Sequence, residues 1–372
     1  MENITFQNIK IEGVKYSKLV SLNISQEVGN HAYAAMELEV DKATGLDYIK
    51  RADEGAEIYI KTSAEGQKDT LFVGCVIATG LNEMSDYSVL NIKAASYSYR
   101  LDIQKKNKTF QNTTATYGDL MTSAAGKNAM IKVDVSDKAT GNLVMQYEET
   151  DWSFIKRMAS QLKASVFADI NSKTPQIHIG VPVRTTFTYI SPTSYQTFAM
   201  PVGLNSSGNK STGMAKSVQS EEYMYIGERM KVDNHTYVIG SVSCSMQLGV
   251  LKCSYSIADS DSFKSLAASN TQLGGRMFVG QVKAVKGDQV QVHFTDIDSS
   301  YDAGGDKWFP YSTAYSSSDG SGFYCMPEEG DTVRVFIPSN NEKDAFVASS
   351  VNGNPQSNTR DKSWKAPGGK EI

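Results

Sequence analysis

The 372-residue sequence lacks the features of a membrane protein, a nucleic-acid-binding protein or a redox protein. No stretch approaches the roughly 18 apolar residues of a membrane-spanning helix, and the N-terminus has neither the basic nor the apolar part of a signal peptide. Lys and Arg number 37 against 41 Asp and Glu, and no long basic run is present, which argues against nucleic-acid binding. Cytoplasmic synthesis without a signal peptide is therefore expected.

Cysteine and histidine are scarce, and neither is grouped in a way typical of a metal or catalytic site. Cys75, Cys244, Cys253 and Cys325 form no CxxC pair, so all four are predicted to be buried, reduced thiols. Cys325 also lacks the sequence context of a cysteine nucleophile. The histidines lie in separate predicted elements without an HExxH or HxH motif, and are expected to be ordinary structural residues: His31, His178, His235 and His293.

Two groups of acidic residues also have simple explanations. Glu148, Glu149 and Asp151 could resemble the carboxylate pair of a glycosidase, but their position at a helix start favours a capping role. A second group lies in a polar loop without the closing Glu of a calcium loop, and comprises Asp296, Asp298, Asp302 and Asp306. The sequence therefore predicts no catalytic residue, no metal ligand and no cofactor.

The dominant pattern that is present has a period of two residues, which is typical of β-strands with one buried face. Val20, Leu22 and Ile24 alternate with polar residues and are predicted to share such a face. Val292 is predicted to face the interior of a later strand. Many short strands separated by turn residues predict a mainly β protein with a few helices, built as two tandem β-barrels followed by a small barrel of the OB type.

Two helices interrupt the strands. Thr116 is a predicted N-cap of a short helix that ends at Gly126. Thr150 is the predicted N-cap of an amphipathic helix, with Trp152 and Phe154 in the core. Its basic side chains, Lys156, Arg157 and Lys163, are predicted to face water.

The predicted domains follow the chain in order. They are a first barrel over 1–105, a helical insertion over 106–172, a second barrel over 173–260, a linker over 261–275, an OB-fold barrel over 276–353 and a polar tail over 354–372.

Two segments resemble the VgrG-like hub and spike-base proteins of contractile injection systems, which include the phage late control D family. The first runs from Gln146 to Met158, where an extended Gln-Tyr leads into an acidic helix start and an aromatic-rich helix. The second runs from Gly322 to Phe336, is followed by Ser350–Gly353, and resembles the Pro-x-x-Gly-Asp-x-Val barrel and its closing turn. The matching positions are Gln146, Tyr147, Asp151, Trp152, Phe154, Pro327, Gly330, Asp331, Val333, Val351, Asn352 and Gly353.

The resemblance implies a non-enzymatic, mechanical protein of a phage tail, a phage-tail-like bacteriocin or a type VI secretion system, within an extracellular or virion-like particle. It implies a homotrimer that adapts a three-fold spike to a six-fold tail tube. The implied partners are a tail-tube or tube-initiator protein, baseplate proteins and a separate needle or spike-tip protein. Longer family members continue into a β-helical needle at the point where this sequence reaches Lys370-Glu-Ile372.

Two other functions remain open on the sequence. A receptor- or glycan-binding tail protein could use an aromatic group in a polar loop, which is also a candidate protein contact: Tyr301, Trp308, Tyr311 and Tyr315. A wall hydrolase associated with a tail is the third alternative.

Overall fold

The computed structural model describes residues 1–52, 55–184, 187–189, 195–204, 210–232, 234–301, 307–314, 316–351, 358–360, 363 and 369–370. The elements of its first half are β1 Ile9–Glu12, β2 Lys18–Glu27, β3 Tyr33–Val40, α1 Lys42–Ala52, β4 Glu57–Thr62, β5 Thr70–Glu83, β6 Ser88–Ser96, β7 Lys105–Phe110, α2 Tyr117–Ala125, β8 Met130–Val133, β9 Val144–Thr150 and α3 Asp151–Gln161. The later elements are β10 Val166–Ala168, β11 Gln176–Ile179, β12 Phe187–Tyr189, β13 Tyr195–Leu204, β14 Lys210–Ser220, β15 Arg229–Val232, β16 His235–Gln247, β17 Val250–Ala258, β18 Arg276–Lys286, β19 Gln289–His293, β20 Phe309–Ser312, β21 Thr332–Ile337 and β22 Phe346–Ser350. Short 3-10 helices cover Tyr97–Asp102, Ser260–Phe263 and Glu342–Asp344.

The prediction of a mainly β protein with a few helices and a terminal small barrel is confirmed. The chain forms two compact units. The first comprises Met1–Lys106, Ala115–Thr140 and Glu148–Ser269, and the second comprises Asn107–Thr114, Gly141–Tyr147 and the chain from Asn270 on. The domain limits drawn from the sequence stay predictions.

A twelve-stranded sheet is the framework of the first unit, in the order β1-β4-β5-β6-β3-β2-β16-β17-β14-β13, with β15 paired to β16 and β12 paired to β15. The strands predicted for two barrels are therefore continuous with one another. The junction is the antiparallel pairing of β2 with β16, from Ser241 opposite Glu27 to Ser245 opposite Asn23. Ile24 and Cys244 face each other there, and both are fully buried.

Tyrosine hydroxyl groups connect the same two halves away from the junction. Tyr223 donates a hydrogen bond to the carbonyl of Leu71 (2.7 Å), and Tyr225 donates to the carbonyl of Thr70. Lys68 pairs with Glu228 at 2.7 Å. Burial raises the pKa of both tyrosines, so each hydroxyl keeps its proton as a hydrogen-bond donor.

The buried face of β2 differs from the prediction at its start. Val20 is 41% exposed, whereas Leu19 is buried. The register between β2 and β3 shifts between Leu19 and Ser21, which marks a β-bulge. One extra residue reverses the alternation of faces, so the predicted face is wrong for Val20 and correct for Leu22 and Ile24.

Both predicted helix starts are confirmed. Thr116 and Asp119 form a reciprocal capping box at α2, and the side chain of Thr150 accepts a hydrogen bond from the backbone of Ser153 at α3. The prediction that Arg157 faces water is wrong, because this residue is only 6% exposed. Its guanidinium donates to both carboxylate oxygens of Glu149 at 2.9 and 3.2 Å, and this paired geometry allows the charge to be buried.

A closed five-stranded barrel, in the order β18-β19-β20-β22-β21, is the framework of the second unit. The pairs are antiparallel except for β20 with β22. Two early parts of the chain belong to this unit: Leu143 and Met145 lie in the barrel's hydrophobic core, while Thr109 donates its backbone N–H to Asp298 at 3.0 Å.

Two cysteine predictions are wrong. Cys244 and Cys253 form a disulfide, because a two-residue turn between β16 and β17 places them opposite each other with Cα atoms 4.0 Å apart. Sequence spacing alone does not indicate this register. Cys325 is exposed rather than buried, and Cys75 is buried as predicted. In the part of the chain that the structure describes, no helix has the length and apolar character needed to cross a membrane.

Thiol counting tests the disulfide. Denatured but unreduced protein should react with Ellman's reagent at two thiols, Cys75 and Cys325, and at four after reduction. The bridge reduces the number of conformations that the unfolded chain can adopt. Its reduction should therefore lower the free energy of unfolding by roughly 2–3 kcal/mol. Four reactive thiols before reduction would contradict the pairing.

Val292 is predicted to face the interior of the barrel, and its complete burial confirms this prediction. Its Cγ1 atom also fills the space where a Cβ on Gly280 would lie, at 2.1 Å. Val292→Asp should bury an unpaired charge and destabilise the barrel by about 3–5 kcal/mol. Gln289→Asp, an exposed position in the same strand, should melt like wild type by circular dichroism. Equal melting of the two variants would refute this assignment.

Candidate functional site

The first motif is divided between the two units. Gln146 and Tyr147 belong to the second unit. Gln146 is buried there, and the ring of Tyr147 packs edge-on against Phe278, with ring centroids 5.2 Å apart. The Tyr147 carbonyl accepts a hydrogen bond from the amide of Asn270 at 2.8 Å. The extended Gln-Tyr segment is therefore part of the packing around the closed barrel.

The rest of that motif lies in the first unit, at the start of α3. Asp151 is buried, and its carboxylate accepts from Lys106 Nζ at 2.5 Å beside the positive end of the helix dipole. Trp152 and Phe154 are buried in the core, as predicted. Glu148 is exposed with a φ of 50°, and Glu149 is paired with Arg157. Of the three acids, only Asp151 lies in the first turn of α3, so the predicted capping role applies to Asp151 and not to Glu149, which pairs with Arg157.

His31 lies in a polar group that resembles the residue content of a serine hydrolase site. Its Nδ1 lies 2.9 Å from Ser98 Oγ, and its Nε2 lies 3.3 Å from Asp102. In a hydrolase triad the serine is bonded to Nε2 and the acid to Nδ1, the reverse of this arrangement. Ser98 is completely buried, and Asp102 also accepts a hydrogen bond from Thr150. The group is therefore suited to holding α3 in place rather than to attacking a substrate.

Burial is the main influence on the charge of His31. It lowers the pKa of the imidazole below its ordinary value of 6.5, although Asp102 acts in the opposite direction. The ring also packs on Trp152, with centroids 4.5 Å apart. The folded protein consequently favours a neutral His31.

The pH dependence of stability tests this assignment. In the unfolded chain His31 binds a proton at its ordinary pKa of 6.5, whereas its pKa in the folded protein is lower. The stability that neutral His31 contributes is therefore fully present above pH 6.5 and is lost as the pH falls through the folded pKa. Wild type should therefore lose more unfolding free energy than His31→Gln between about pH 7.5 and pH 5, as measured by urea titration. Parallel curves for the two proteins would contradict the assignment.

The second motif forms the tight entry to β21. Gly330 has a φ of 95°, which favours glycine, and its N–H donates to the carbonyl of Val282 at 2.8 Å. The Asp331 carboxylate accepts from the backbone of Glu328 at 2.9 Å, while Pro327 and Val333 are buried. Each residue thus has a role in the turn or the core. Val351 is exposed, and Asn352 and Gly353 lie outside the described residues.

The aromatic group is only partly a loop feature. Tyr311 lies in β20 opposite Val347 and packs against the barrel core. Tyr301 packs near His293, with centroids 5.7 Å apart, and Trp308 is half-buried just before β20. Tyr315 lies outside the described residues. A contact or glycan-binding role for this group stays a prediction.

The remaining histidines and acids form local structural contacts. His178 Nδ1 lies 2.5 Å from Asp134, and His235 pairs with Asp259 at 2.6 Å. Asp296 accepts from the backbone of Val279 at 3.0 Å, while Asp302 and Asp306 lie outside the described residues. Within the described ranges, no group of His, Cys, Asp and Glu has the arrangement of a metal site.

Two lateral edges of the large sheet are a feature that the predictions from sequence did not include. β13 ends the strand order, and among the described residues it pairs only with β14. β5 pairs with β4 only from Thr70 to Cys75, so β6 is the only described strand that pairs with Ile77–Glu83, and α1 also contacts this part through the Lys42–Glu83 ion pair at 2.5 Å. Pro201 in β13 is the sequence signal that could have indicated an edge strand, because proline cannot donate to a neighbouring strand. For β5 the complete set of strand pairings is required.

Comparison with solved structures shows that this fold occurs in tail and secretion proteins. An E. coli protein, c3393, is described as a type VI secretion component with structural similarity to the T4 tail proteins gp27 and gp5. It matches with a TM-score of 0.66 at 12% identity, covering 92% of this chain and 99% of that chain. A Francisella PdpA–VgrG complex matches with a TM-score of 0.63 at 8% identity, covering 95% and 79%.

A Shewanella oneidensis prophage MuSo2 tail protein of 43 kDa also matches, with a TM-score of 0.53 at 9% identity, covering 72% of this chain and 99% of that one. A family model described as the Alg8 N-terminal domain matches residues 2–182, less than half of the 372-residue chain. No curated protein matches the sequence. The chain thus has the fold of phage-tail and VgrG-like type VI secretion proteins.

Proposed function

We propose that this protein is a structural hub and spike-base component of a contractile injection machine. The observation that carries the proposal is one fold that combines a continuous sheet of two similar halves with a closed five-stranded barrel. On this proposal the barrel is an OB-fold spike base, and the role is mechanical rather than enzymatic. The reversed order of contacts in the Ser98–His31–Asp102 group, with Ser98 and His31 buried, supports the same proposal.

The sheet's two lateral edges support assembly into a closed ring of identical chains. Every pairing between neighbours from β5 through β6, β3, β2, β16, β17 and β14 to β13 is antiparallel. This order makes β5 and β13 run in opposite directions. Rotation about an axis parallel to the strands would therefore bring β13 of one copy antiparallel to β5 of the next, without reversing any chain.

A homotrimer fits this arrangement and the proposed role. The eight strands from β5 to β13 divide at the β2–β16 pairing into two groups of four, so three chains would present six such groups to a six-fold tail tube. Proposed partners are the tail-tube or tube-initiator protein, baseplate proteins and a separate spike tip. We place the protein in a particle assembled in the cytoplasm and released from it.

Light scattering of purified protein tests the trimer. The expected mass is about 122 kDa, three times the 40.7 kDa chain. A lysine on an edge strand blocks pairing between sheets, so Phe198→Lys in β13 should lower the mass toward the monomer. Leu266→Lys, at an exposed site outside the strands, is the matched control. A monomeric wild-type protein at micromolar concentration would count against the ring.

A receptor- or glycan-binding tail protein is the alternative. It is favoured by the partial exposure of Tyr301 and Trp308 near the barrel strand β20. This function would be favoured over the structural one if the protein bound cell-wall polysaccharide saturably and the Trp308→Ala variant did not bind it.

A further inference from the structure

The bridge between Cys244 and Cys253 lies in the core of the large sheet rather than at its surface. The two cysteines are 0% and 1% exposed, and both belong to the hydrophobic core of that sheet. Cys244 in β16 lies opposite Ile24 of β2, which is also completely buried. Cys253 in β17 lies opposite Ser220 of β14. A neighbouring strand therefore covers the bridged hairpin on each side.

The side chains next to the bridge along β16 and β17 are apolar as well. Because side chains alternate along a strand, the residues two positions away share the face of the two cysteines. On that face Val242 lies opposite Tyr255 before the bridge, and Met246 lies opposite Leu251 after it. Val242, Tyr255 and Leu251 are at most 2% exposed, and Met246 packs against the core. The sulfur atoms thus have apolar surroundings.

Apolar surroundings hinder the chemistry by which a disulfide is reduced. A thiolate of a dithiol such as dithiothreitol attacks one sulfur, the S–S bond breaks, and the other cysteine leaves as a thiolate that takes up a proton. The second thiol of the reagent then releases the first cysteine, and the reagent becomes a cyclic disulfide. Each step places an anion beside the sulfur atoms, which burial in apolar surroundings disfavours. Exchange should therefore require that the structure around the bridge opens.

The β2–β16 pairing is the part of these surroundings that should open most readily. It extends only over residues 23–27 of β2, and it joins segments that are more than two hundred residues apart in the chain. The β16–β17 pairing is a local hairpin that continues to residue 238, and β14 pairs with β17 over residues 215–220. Regions with little support open before the whole protein unfolds. Of the pairings beside the bridge, the β2–β16 pairing is the shortest and the least local.

We infer that the β2–β16 pairing protects the Cys244–Cys253 pair from thiol–disulfide exchange, so that the folded protein keeps the redox state in which its large sheet closed. A folded protein with the disulfide keeps it among small thiols. A protein that is reduced in denaturant and refolded as the dithiol keeps its thiols when it meets a small disulfide such as glutathione disulfide. The pair records the conditions of folding instead of responding to later redox conditions. This inference does not depend on the proposed function.

The rate of reduction by dithiothreitol at neutral pH tests the protection. Samples are quenched in acid, alkylated in denaturant and analysed by mass spectrometry of the peptides that contain Cys244 and Cys253. Native wild type should be reduced at least about a hundredfold more slowly than the same protein in concentrated urea. Oxidation of the refolded dithiol form by glutathione disulfide, which releases two molecules of glutathione, should be slowed to a similar degree. Native reduction within about tenfold of the rate in urea would overturn the inference.

Paired variants test which strand pairing has to open. Ile24→Ala removes the buried side chain opposite Cys244 and should accelerate native reduction at least about thirtyfold. Ile92→Ala is the matched control, because Ile92 is 1% exposed in β6, which pairs with β3 and β5. Its rate should stay within about threefold of wild type. Ile24→Val makes a smaller change and should accelerate reduction about two- to tenfold, whereas Ile92→Val should match wild type.

The comparison has clear contrary outcomes. Equal acceleration by the two alanine variants would show that exchange requires opening of the whole sheet. No acceleration by either would show that the reagent reaches the sulfur atoms by another route, and each of these results would overturn the inference. Circular dichroism checks the folding of every variant. If an alanine variant does not fold, the valine pair decides: faster reduction of Ile24→Val alone supports the inference, and equal rates overturn it.

Discussion

The pairing of β2 with β16 is the contact on which the larger unit depends. It joins β2, Lys18–Glu27, to β16, His235–Gln247, which lies more than two hundred residues later in the chain, and it buries Ile24 against Cys244. Such a non-local pair must overcome a large loop-closure entropy, so it needs support from its surroundings. The hydrogen bonds that Tyr223 and Tyr225 donate to the backbone at residues 70–71 provide that support, because they connect the same two halves of the sheet.

One continuous sheet has consequences that two separate barrels would not have. Within the described residues, β13 pairs only with β14, and Ile77–Glu83 of β5 pairs only with β6. The strand ends carry turns instead, with apolar side chains at Met84, Tyr87 and Leu248. Exposed strand backbone and exposed apolar side chains therefore lie on different parts of the large sheet.

Most of the described motif residues make local contacts at a helix start, in a turn or against the core. Asp151 and Thr150 stabilise the start of α3, Gly330 permits a left-handed turn, and Tyr147 packs against Phe278. Asp298 likewise accepts a hydrogen bond from the backbone of Thr109. Ser98 and His31 are buried, whereas the side chain of Asp102 is 33% exposed.

The sequence by itself determined the features that depend on near neighbours: the strand alternation around Leu22 and Val292, the caps at Thr116 and Thr150, and the turn chemistry at Gly330. These follow from side-chain periodicity and from bonds within four residues. Only the tertiary structure decided the bulge that exposes Val20, the burial of Arg157 against Glu149, the Cys244–Cys253 bridge and the union of two predicted barrels in one sheet. Each of these is set by register or by a partner brought close in space, and a local pattern of residues carries no record of which distant strand lies beside it.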